Sequence, residues 1–407
     1  MTDWPIKSLG EVCDFVRGVT YDKADARSAM KNGFIPLLRA TNITEKGLLR
    51  EDFVFVPSDG VRADQKLISG DALITIASGS ASVVGRSVLV EDPGEMTFGA
   101  FCGVLRPGPG ILPKYLSHFM SSRSVRTAWS EAAQGTNINN LKRDDILQTE
   151  CLLPPLEEQK RIVALLDAAT ARVDECQEVT QAELRLASDL YQARIEELLS
   201  AHALRGVREV ELATVIDLVI DHRGKTPNKL GGDFTDSGVP VVSAIHIKDD
   251  SIKWSERYRY VTHEMFERWM PERLMKGDIL LTSEAPLGQV ARIESDEPLV
   301  LSQRLFALRA KGSLVSGDFL FEFLRSPLGQ DRLKARATGA TAVGIRQAEL
   351  MKVMVPVPRL EDQPKMIHQI HAARQNVLKL QSQLRGRELL LKDLRQSILE
   401  AAFIGEL

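Results

Sequence analysis

Two long segments of the chain, residues 156–203 and 360–403, are predicted to be helices. Both are rich in Leu, Ala, Glu, Gln and Arg, and neither contains a proline after its first turn. Pro155 and Pro364 stand where the first turn of a helix tolerates proline, and Gly206 is a natural end for the first segment. The two predicted helices therefore have similar lengths and clear beginnings.

A repeating hydrophobic stripe indicates that these helices pair through a coiled-coil seam. In the second helix the stripe recurs every seven positions at Ile370, Val377, Leu384, Leu391 and Ile398. A second set lies three positions later, with Arg387 as its misfit, and consists of Ala373, Leu380, Leu394 and Ala401. The first helix begins in the matching register with Leu166, Ala169, Val173 and Cys176. After a four-residue stutter its stripe continues at Leu184, Tyr191 and Leu198. The alternative is that each helix packs as an amphipathic helix on its own domain.

The segments before the two helices, roughly residues 1–153 and 207–357, have a different pattern. Short apolar runs alternate there with turns that contain Gly, Pro and Ser, and such runs predict β-strands. The clearest runs are residues 33–38, 72–77, 239–247 and 278–282. Short helices are predicted at residues 115–120 and 319–325. We expect two α+β globular domains, each followed by one long helix.

The chain is one unit written twice. Residues 153–159 recur as residues 357–363, at an offset of 204 positions (358 − 154). The same offset relates Ile35-Pro36-Leu37 to Val239-Pro240-Val241, Gly135 to Gly339, and Leu141-Lys142 to Ile345-Arg346, and a slightly shifted match relates residues 69–73 to 276–280. We therefore divide the chain into a globular domain at 1–153, a helix at 154–206, a globular domain at 207–357 and a helix at 358–407.

The composition is that of an ordinary cytoplasmic protein. Hydrophobic residues make up 44% and charged residues 26% of the 407 residues, and no apolar run reaches the roughly 18 residues of a membrane helix. The first residues have neither the basic start nor the apolar core of a secretory signal. The four cysteines are far apart and form no CxxC pair, which favours reduced thiols over a disulfide frame or a zinc site.

The duplicated arrangement is suited to reading duplex DNA. Antiparallel pairing of the helices would relate the two units by a pseudo-two-fold axis, and duplex DNA has local two-fold axes. About 45 helical residues span about 65 Å, so the helices would hold two globular domains apart. Because the halves have diverged outside the helices, we expect a target of two unlike short sequences separated by a gap. The net charge of −3 and the pI of about 6.2 argue mildly against a DNA reader, but a local basic cleft can coexist with acidic helices.

Polar loops of both domains carry side chains that suit DNA. Arginine can pair with guanine, and Asn or Gln with adenine, in the major groove, whereas Lys, Ser and Thr suit phosphates. The candidate DNA-binding residues of the first domain are Arg39, Thr41, Asn42, Ser78, Ser80, Asn137, Asn139, Asn140, Lys142 and Arg143. Those of the second domain are His222, Arg223, Lys225, Thr226, His246, Lys248, Ser283, Gln303, Arg304, Thr341, Arg346 and Gln347. Polar loops are common on any protein surface, so a solvated loop is the alternative for each residue.

Together these features resemble the type I restriction-modification specificity subunits. Leu153–Val163 resembles the motif that ends each target-recognition domain of that family and opens its conserved helix. Leu394–Leu407 resembles the family's C-terminal signature, and Gly135–Leu141 resembles its loop before the helix. The resemblance covers essentially the whole chain. One departure is Pro364–Ile367 in the second copy, where the first copy has the more typical Lys160–Val163.

The resemblance implies a subunit that reads DNA and performs no catalysis. In that family each target-recognition domain reads one half of a bipartite, asymmetric site on double-stranded DNA. The two helices form an antiparallel coiled coil, which sets the spacing and docks two methyltransferase (modification) subunits. Those subunits hold S-adenosylmethionine and methylate adenine, and restriction subunits that translocate DNA with ATP and Mg²⁺ cut unmethylated DNA. The resemblance therefore implies no cofactor, metal or catalytic residue in this chain.

An enzyme is the main alternative, namely a DNA methyltransferase with its own recognition domain. Amino-methylating enzymes of that kind carry an Asn/Asp/Ser-Pro-Pro-aromatic motif, but here leucines flank the Pro-Pro pair at Leu153 and Leu156. A phosphate-binding GxxxxGK[ST] loop is also missing, because Val219 stands where its first glycine belongs. His368 and His371 lie three positions apart on a helix and could bind a metal, but a solvated or interface pair is the simpler interpretation.

The second alternative is a scaffold protein whose coiled coil binds only other proteins. The heptad pattern fits a scaffold as well as it fits a DNA reader. A scaffold, however, does not need two large, divergent domains rich in polar loops. The loops therefore favour the DNA-reading interpretation.

Overall fold

The computed structural model describes residues 4–45, 47–133, 139–199, 207–222, 225–254, 258–339 and 343–407. The chain forms two compact units, which we call unit 1 (Met1–Gln181 with Arg385–Leu407) and unit 2 (Ala182–Leu384). We call residues 4–153 head 1 and residues 207–357 head 2. Each unit contains one head, the start of one long helix and the end of the other. The contacts thus divide both helices, which the sequence-based division keeps whole.

Head 1 is built from short strands around a four-stranded sheet. Its strands are β1 (Ile6–Ser8), β2 (Cys13–Arg17), β3 (Phe34–Leu38), β4 (Ile43–Thr44), β5 (Gly47–Leu48), β6 (Val54–Pro57), β7 (Ala72–Thr75), β8 (Ala77–Ser78), β9 (Ser87–Leu89), β10 (Thr97–Phe98), β11 (Cys102–Pro107), β12 (Asn139–Asn140) and β13 (Glu150–Leu152). The sheet β2-β11-β7-β9 is antiparallel throughout. A second sheet, β10-β3-β6, joins β10 to β3 in parallel and β6 to β3 antiparallel.

Short helices pack on head 1, and a long helix follows it. The helices are α1 (Leu9–Val12), α2 (Pro113–Met120), α3 (Arg123–Ala132), α4 (Arg143–Leu147) and the long α5 (Leu156–Leu199). Pro113 begins α2, where the N–H that proline lacks would have no partner within the helix. Glu157 and Glu158 lie in the first turn of α5, where the helix dipole favours negative charge. The predicted start of the first long helix is confirmed.

Head 2 repeats this construction. Its strands are β14 (Arg208–Glu211), β15 (Ile216–Asp221), β16 (Val239–Val242), β17 (Ile247–Lys248), β18 (Ser251–Ile252), β19 (Tyr260–Val261), β20 (Ile279–Thr282), β21 (Val290–Arg292), β22 (Val300–Leu301), β23 (Leu305–Ala310) and β24 (Met354–Val357). Its helices are α6 (Leu212–Val215), α7 (His263–Trp269), α8 (Gly317–Arg325), α9 (Pro327–Ala335) and α10 (Gln347–Leu350), and the long α11 (Gln363–Phe403) follows. The second long helix starts at Gln363 rather than at residue 360 because the Asp362 N–H closes a turn on the Arg359 carbonyl, at 2.9 Å.

The strand order is the same in the two heads. The sheet β15-β23-β20-β21 of head 2 matches β2-β11-β7-β9 of head 1, and β19-β16-β22 again combines one parallel and one antiparallel neighbour. The first strand of each head pairs with the last, β1 with β13 and β14 with β24. This pairing brings the beginning of each head next to the strand that leads into its long helix. The predicted duplicated α+β architecture is confirmed.

Both long helices contribute to the core of unit 1. Ile162 and Leu166 of α5 and Leu399 and Phe403 of α11 belong to one buried cluster with α2 and the four-stranded sheet. The Phe403 ring packs edge to face against Tyr115 of α2, with 5.2 Å between the ring centroids. The end of α11 is therefore part of the hydrophobic core of this unit.

The core of unit 2 is completed in the reciprocal way. Ile195 and Leu199 near the end of α5 join Met366 and Ile370 near the start of α11 in its buried cluster. Each head thus packs against the start of one long helix and the end of the other.

Contacts within each unit show that α5 and α11 pair antiparallel. In unit 1, Arg395 contacts Asp174 at 2.6 Å, and Arg387 Nε donates to Thr180 Oγ1 at 2.9 Å. In unit 2, Gln381 Nε2 donates to Ser188 Oγ at 3.1 Å. Partner numbers fall on α11 as they rise on α5, which is the register of an antiparallel pair.

The seam observed between the helices is narrower than the heptad pattern predicts. Its residues in the first helix, Leu166, Val173, Leu184, Tyr191 and Leu198, and in the second, Ile370, Val377, Leu384, Leu391 and Ile398, are all buried or half-buried. Two intervening leucines expected in the seam, Leu380 and Leu394, are instead 41% and 49% exposed, and Cys176 is exposed too. A pair of helices buries only a narrow stripe on each partner, which leaves these positions outside it. Arg387 was the expected misfit, and it is half-buried on Thr180.

A buried glutamine fastens each head to its long helix. Gln159 accepts a hydrogen bond from the Leu112 N–H at 2.8 Å and donates to the carbonyls of Gly110 (3.0 Å) and Pro154 (2.9 Å). Gln363 makes the same contacts in unit 2, with the Ser316 N–H and the carbonyls of Leu314 and Pro358. Both side chains are fully buried. Because buried backbone groups require partners, this amide explains why the helix-start motif ends in glutamine in both copies.

A buried aspartate organises the main sheet of each head. Asp71 makes a bidentate pair with Arg106 at 2.8 and 2.9 Å, and Asp278 does the same with Arg309 at 2.8 Å. The preceding glycine has positive φ in both heads, 94° at Gly70 and 93° at Gly277, a conformation that favours glycine. The repeated Gly-Asp match therefore marks a turn and an ion pair that shape the sheet.

Candidate nucleic-acid interface

A polar groove lies on head 1 beyond the end of β3. It encloses about 580 Å³, and its lining residues are Ala26, Arg27, Ser28, Arg39, Asp52, Phe53, Val54 and Phe55. Arg39 Nη2 donates to the Asp52 carbonyl at 2.7 Å. Its Nε–H is buried without a hydrogen-bond partner within the described residues. Phe53 and Phe55 pack edge to face beside it, with their centroids 6.2 Å apart.

A smaller groove occupies the equivalent place on head 2, beyond the end of β16. It encloses about 130 Å³ and is lined by Phe234, Val241, Ser243, Ile245, His246, Arg259 and Ser302. Ser243 occupies the position of Arg39 in the repeat (243 − 39 = 204). The Arg259 guanidinium lies over the Phe234 ring, 4.8 Å from its centroid. Both heads thus place arginine and aromatic side chains at the same point of the fold, but with different residues.

A ladder of aromatic rings stands beside the groove of head 2. The His246 and Trp254 rings are 5.1 Å apart, Trp254 and Tyr258 stack at 5.8 Å, and Tyr258 and Tyr260 stack at 6.3 Å. Tyr258 is exposed. The sequence analysis missed these rings, although alternating aromatic positions at 258 and 260 around Arg259 are typical of one face of a strand. Exposed aromatic rings of this kind can stack on nucleobases.

A second polar cluster on head 1 forms where β8 pairs with β12. The pairing sets Asn139 opposite Ser78, and the Asn139 amide donates to the Ser78 carbonyl at 3.4 Å. Ser80 follows on the exposed turn, and Asn140 is exposed at the end of β12. The structure therefore brings together four predicted residues from two distant segments.

In head 2 the loops after β15, β20 and β22 meet. Gln303 Nε2 donates to the Lys225 carbonyl at 3.0 Å. Arg304 Nε lies 2.9 Å from Glu284, and the Ser283 N–H donates to the Arg304 carbonyl at 2.9 Å. The exposed Arg304 guanidinium is thus paired with the Glu284 carboxylate. A DNA phosphate or base that binds Arg304 would have to displace this carboxylate.

Two predicted contact residues, Asn42 and His246, have structural roles. They occupy equivalent positions (246 − 42 = 204), and each is 1% exposed. Asn42 accepts from the Arg39 N–H at 2.8 Å and donates to the carbonyls of Leu49 and Glu51, whereas His246 Nδ1 accepts from the Ser243 N–H at 3.1 Å. Both close a turn of 3₁₀ helix. The expectation that Asn42 touches DNA is therefore corrected, whereas His246 also lines the groove of head 2 and its contact with DNA stays a prediction.

His222 and Ser283 are also buried, which corrects the expectation that their side chains reach DNA. The His222 ring lies 3.3 Å from the Leu301 carbonyl, measured from Nδ1. Burial lowers the pKa of His222, and the charge of Lys225 lowers it further. The imidazole therefore stays neutral over a wider pH range than a free histidine.

Most of the other predicted residues lie on the surface of the heads. Exposed positions are occupied by Thr41, Lys142, Arg143, Lys225, Lys248 and Arg346, and Thr226 and Gln347 are half-buried. Lys142–Arg143 at the start of α4 and Arg346–Gln347 at the start of α10 occupy matching places in the two heads. Asn137, Arg223 and Thr341 lie outside the described residues.

The described residues contain no cluster of three or more His, Cys, Asp or Glu side chains that could hold a metal ion. Within the same residues, no helix is both long and apolar enough to cross a membrane. Burial raises the pKa of Cys13 to about 12 and that of Cys151 to about 11, so these thiols are poor nucleophiles.

Comparison with known proteins identifies the two halves as copies of one domain. The family model described as the type I restriction modification DNA specificity domain matches residues 1–185 and again residues 205–384. Among curated proteins, the EcoKI specificity subunit of Escherichia coli (strain K12) is 27% identical, with 99% of this chain and 89% of that protein aligned. The StySPI specificity subunit of Salmonella potsdam is 28% identical over the same shares of the two chains.

Solved structures show the same fold. One chain, from work on complex assembly and conformational transition of the type I R-M system, superposes with a TM-score of 0.76 at 21% identity, covering 99% of this chain and 98% of its own. The HsdS subunit from Thermoanaerobacter tengcongensis gives a TM-score of 0.56 at 22% identity, with 99% and 97% covered. With the duplicated heads, the antiparallel helices and a family match over both halves, this chain belongs to the specificity subunits of type I restriction-modification systems.

Proposed function

We propose that each head reads one half of a bipartite, asymmetric site on double-stranded DNA, and that the paired helices set the distance between the halves. The observation that carries this proposal is the recurrence of a groove with arginine and aromatic residues at the same point of both heads. The linings differ, with Arg39 in one and Ser243 with Arg259 in the other. Because base edges are distinguished by the donors and acceptors that meet them, different linings support different half-sites.

The helices also dock two copies of one partner, a methyltransferase subunit. Leu186 and Leu190 on α5 are 57% and 59% exposed, and Leu390 and Leu394 on α11 are 70% and 49% exposed. The second pair is the repeat equivalent of the first (390 − 186 = 204). Residues four apart lie on the same face of a helix, and exposed apolar patches mark protein interaction sites. Two equivalent leucine pairs therefore support two equivalent docking sites.

Catalysis belongs to the partners in this proposal. The methyltransferase subunits bind S-adenosylmethionine and methylate adenine in each half-site, and restriction subunits use ATP and Mg²⁺ to translocate and cut DNA. The specificity subunit contributes position and sequence choice. Its net charge of −3 supports a division of labour in which the partners supply much of the attraction to phosphates.

Variants of single heads test this proposal. Methylated adenines would be mapped genome-wide in a methylation-free host that makes the methyltransferase with Arg39→Ala, Tyr258→Ala or the surface control Arg62→Ala, whose residue pairs with Asp64 outside the groove lining. Arg39→Ala should relax one half-site and Tyr258→Ala the other, because the two residues lie on different heads. Loss of a bidentate arginine–base contact by Arg39→Ala should remove about 1–3 kcal/mol of discrimination, or about 5- to 150-fold. Equal relaxation of both half-sites by either variant would contradict the proposal.

A further inference from the structure

A second polar contact ties each head to its long helix, and its charges are reversed between the units. In unit 1, His118 of α2 lies 2.8 Å from Asp167 of α5, measured from Nε2 to Oδ1. In unit 2, Glu322 of α8 lies 2.7 Å from His371 of α11, from Oε1 to Nε2. The repeat offset relates both members (322 − 118 = 204 and 371 − 167 = 204). The acid therefore belongs to the helix in unit 1 and to the head in unit 2.

Each acid has a second basic partner, which lies on the head in both units. Lys114 Nζ lies 2.8 Å from Asp167 Oδ2, and the hydrogen bonds from Lys114 and His118 keep the pKa of Asp167 low although burial alone would raise it. Glu322 is 2% exposed and lies 2.7 Å from Arg325. Both carboxylates thus contact two basic side chains at the junction of head and helix.

The position of Lys114 is reversed as well. Its repeat equivalent in unit 2 is Asp318 (318 − 114 = 204), which contacts Arg292 instead of the long helix. In unit 1, Lys114 and His118 of α2 therefore both contact one carboxylate of α5, that of Asp167. In unit 2, α8 carries two acids at these positions, Asp318 and Glu322, and of the two Glu322 contacts His371 of α11.

The other anchors do not distinguish the two junctions. Gln159 and Gln363 bond to backbone groups of their heads, and any head with the same backbone can supply those groups. The charged pair differs, because its fit depends on which head meets which helix. Head 1 on α11 would set His118 against His371, with no carboxylate between them. Head 2 on α5 would set the buried Glu322 against Asp167, and two carboxylates in contact disfavour each other's charge.

We propose that this reversed pair makes the start of each long helix specific for its own head. A mismatch that leaves a buried carboxylate facing a second one acts against the wrong combination, as repulsive elements do in specific interfaces. His118, Asp167, Glu322 and His371 are positioning residues in this scheme, because they act on the seating of a head and need not touch DNA. A head moved from one place in the chain to the other would need the matching residue on the helix.

A charge-exchange cycle in unit 1 tests the proposal, because both side chains are partly accessible there, at 19% and 40% exposure. His118→Glu and Asp167→His would be made singly and together, and unfolding of head 1 by urea would be followed by hydrogen exchange. Each single change should weaken head 1, and the double change should recover at least half of the loss. The interaction should amount to about twofold or more in the unfolding equilibrium constant, as expected for residues in contact.

The exposed pair Arg123–Asp393, which also joins head 1 to a long helix, provides a matched control. Exchange of its charges should show no comparable coupling, because surface pairs contribute little. Additive losses at His118 and Asp167, without recovery in the double variant, would overturn the proposal. No DNA or partner subunit enters this cycle, so its failure would leave the proposed function intact.

A graft gives a second readout. Residues 1–153 would replace residues 207–357, once with His371 retained and once with His371→Asp. The aspartate version should resist urea better in the grafted head, because it restores the histidine–acid pair of unit 1. Equal resistance of the two grafts would contradict the proposal, and if neither graft folds, the charge-exchange cycle decides.

Discussion

Replacement of Gln159 by leucine should weaken the attachment of head 1 to α5, although leucine fills nearly the same volume as glutamine. The change removes one acceptor and two donors that serve the Leu112 N–H and the carbonyls of Gly110 and Pro154. Gly110 is exposed and can bond to water, so two backbone groups lose partners that nothing replaces. An unsatisfied buried group costs about 1–3 kcal/mol, and for two such groups we therefore expect a loss of about 2–6 kcal/mol. That is a large share of the stability of a typical domain, about 5–15 kcal/mol.

The assay must report on each unit separately, because a chain with two units need not unfold in one step. Pulsed hydrogen exchange across a urea series, analysed peptide by peptide, gives a midpoint for each head. With a urea dependence of about 2 kcal/mol per molar for a unit of this size, Gln159→Leu should lower the midpoint of head 1 by about 1–3 M. Gln363→Leu should do the same to head 2, since its three contacts are equivalent.

Gln383→Leu is the control, because this glutamine is exposed on α11 and its replacement should leave both midpoints within about 0.3 M, the scale of a surface substitution. A Gln159→Leu variant with a midpoint as high as the control would refute the argument that this amide fastens the head. Equal shifts in both heads would refute the argument that its effect is local.

Three further predictions concern the partner, the pH response and the spacing. Leu390→Glu combined with Leu394→Glu should reduce the methyltransferase subunits that co-purify with each chain from two to one without altering the urea midpoints, because both side chains are exposed; two bound subunits per chain would remove these leucines from the docking site. Burial lowers the pKa of His222, so the folded state binds fewer protons than the unfolded state and stability falls as pH drops below about 6.5. His222→Gln should flatten this dependence in urea titrations at several pH values, and an unchanged slope would contradict the assignment. Insertion of one heptad beside Leu184 and one beside Leu384 lengthens the pair by about 10 Å, so mapping of methylated sites should find a gap about three base pairs longer, and an unaltered gap would contradict the spacer role.

The duplicated architecture could be predicted because its signals are local and repeated. Proline, acidic residues and glutamine at the helix starts, together with alternating apolar runs, appear twice at one offset, and the structure places them in equivalent elements. The glutamine itself could be seen in the sequence, but its reason could not. Gln159 satisfies backbone groups about 50 positions away in the chain (159 − 110 = 49), and no local pattern reports such a distance.

The width of the helix seam and the roles of loop residues could not be predicted in the same way. Leu380 and Leu394 fit the heptad, but a single antiparallel partner does not reach them. Arg39 and Asn42 are polar residues three positions apart in one loop, yet Asn42 caps a turn and Arg39 lines a groove. Composition cannot separate these roles, because both place polar atoms in a loop and differ only in which way the side chain turns.

The aromatic ladder of head 2 shows the opposite error. Trp254, Tyr258 and Tyr260 have large rings of the kind that usually fill a protein core, so they were not predicted as DNA-binding residues. In the structure Tyr258 is exposed and stacks with both of the others. Exposed aromatic residues beside arginine are therefore candidate nucleic-acid contacts in the same way as polar loops are.

We propose that this chain uses its two different heads to choose the DNA sequence on which its complex acts. The most direct test is a genome-wide map of methylated adenine in a methylation-free host that makes the methyltransferase subunit with and without this chain. We expect a motif of two unlike parts separated by a fixed gap, which appears only when the chain is present. A motif that does not depend on the chain, or a continuous motif without a gap, would contradict it.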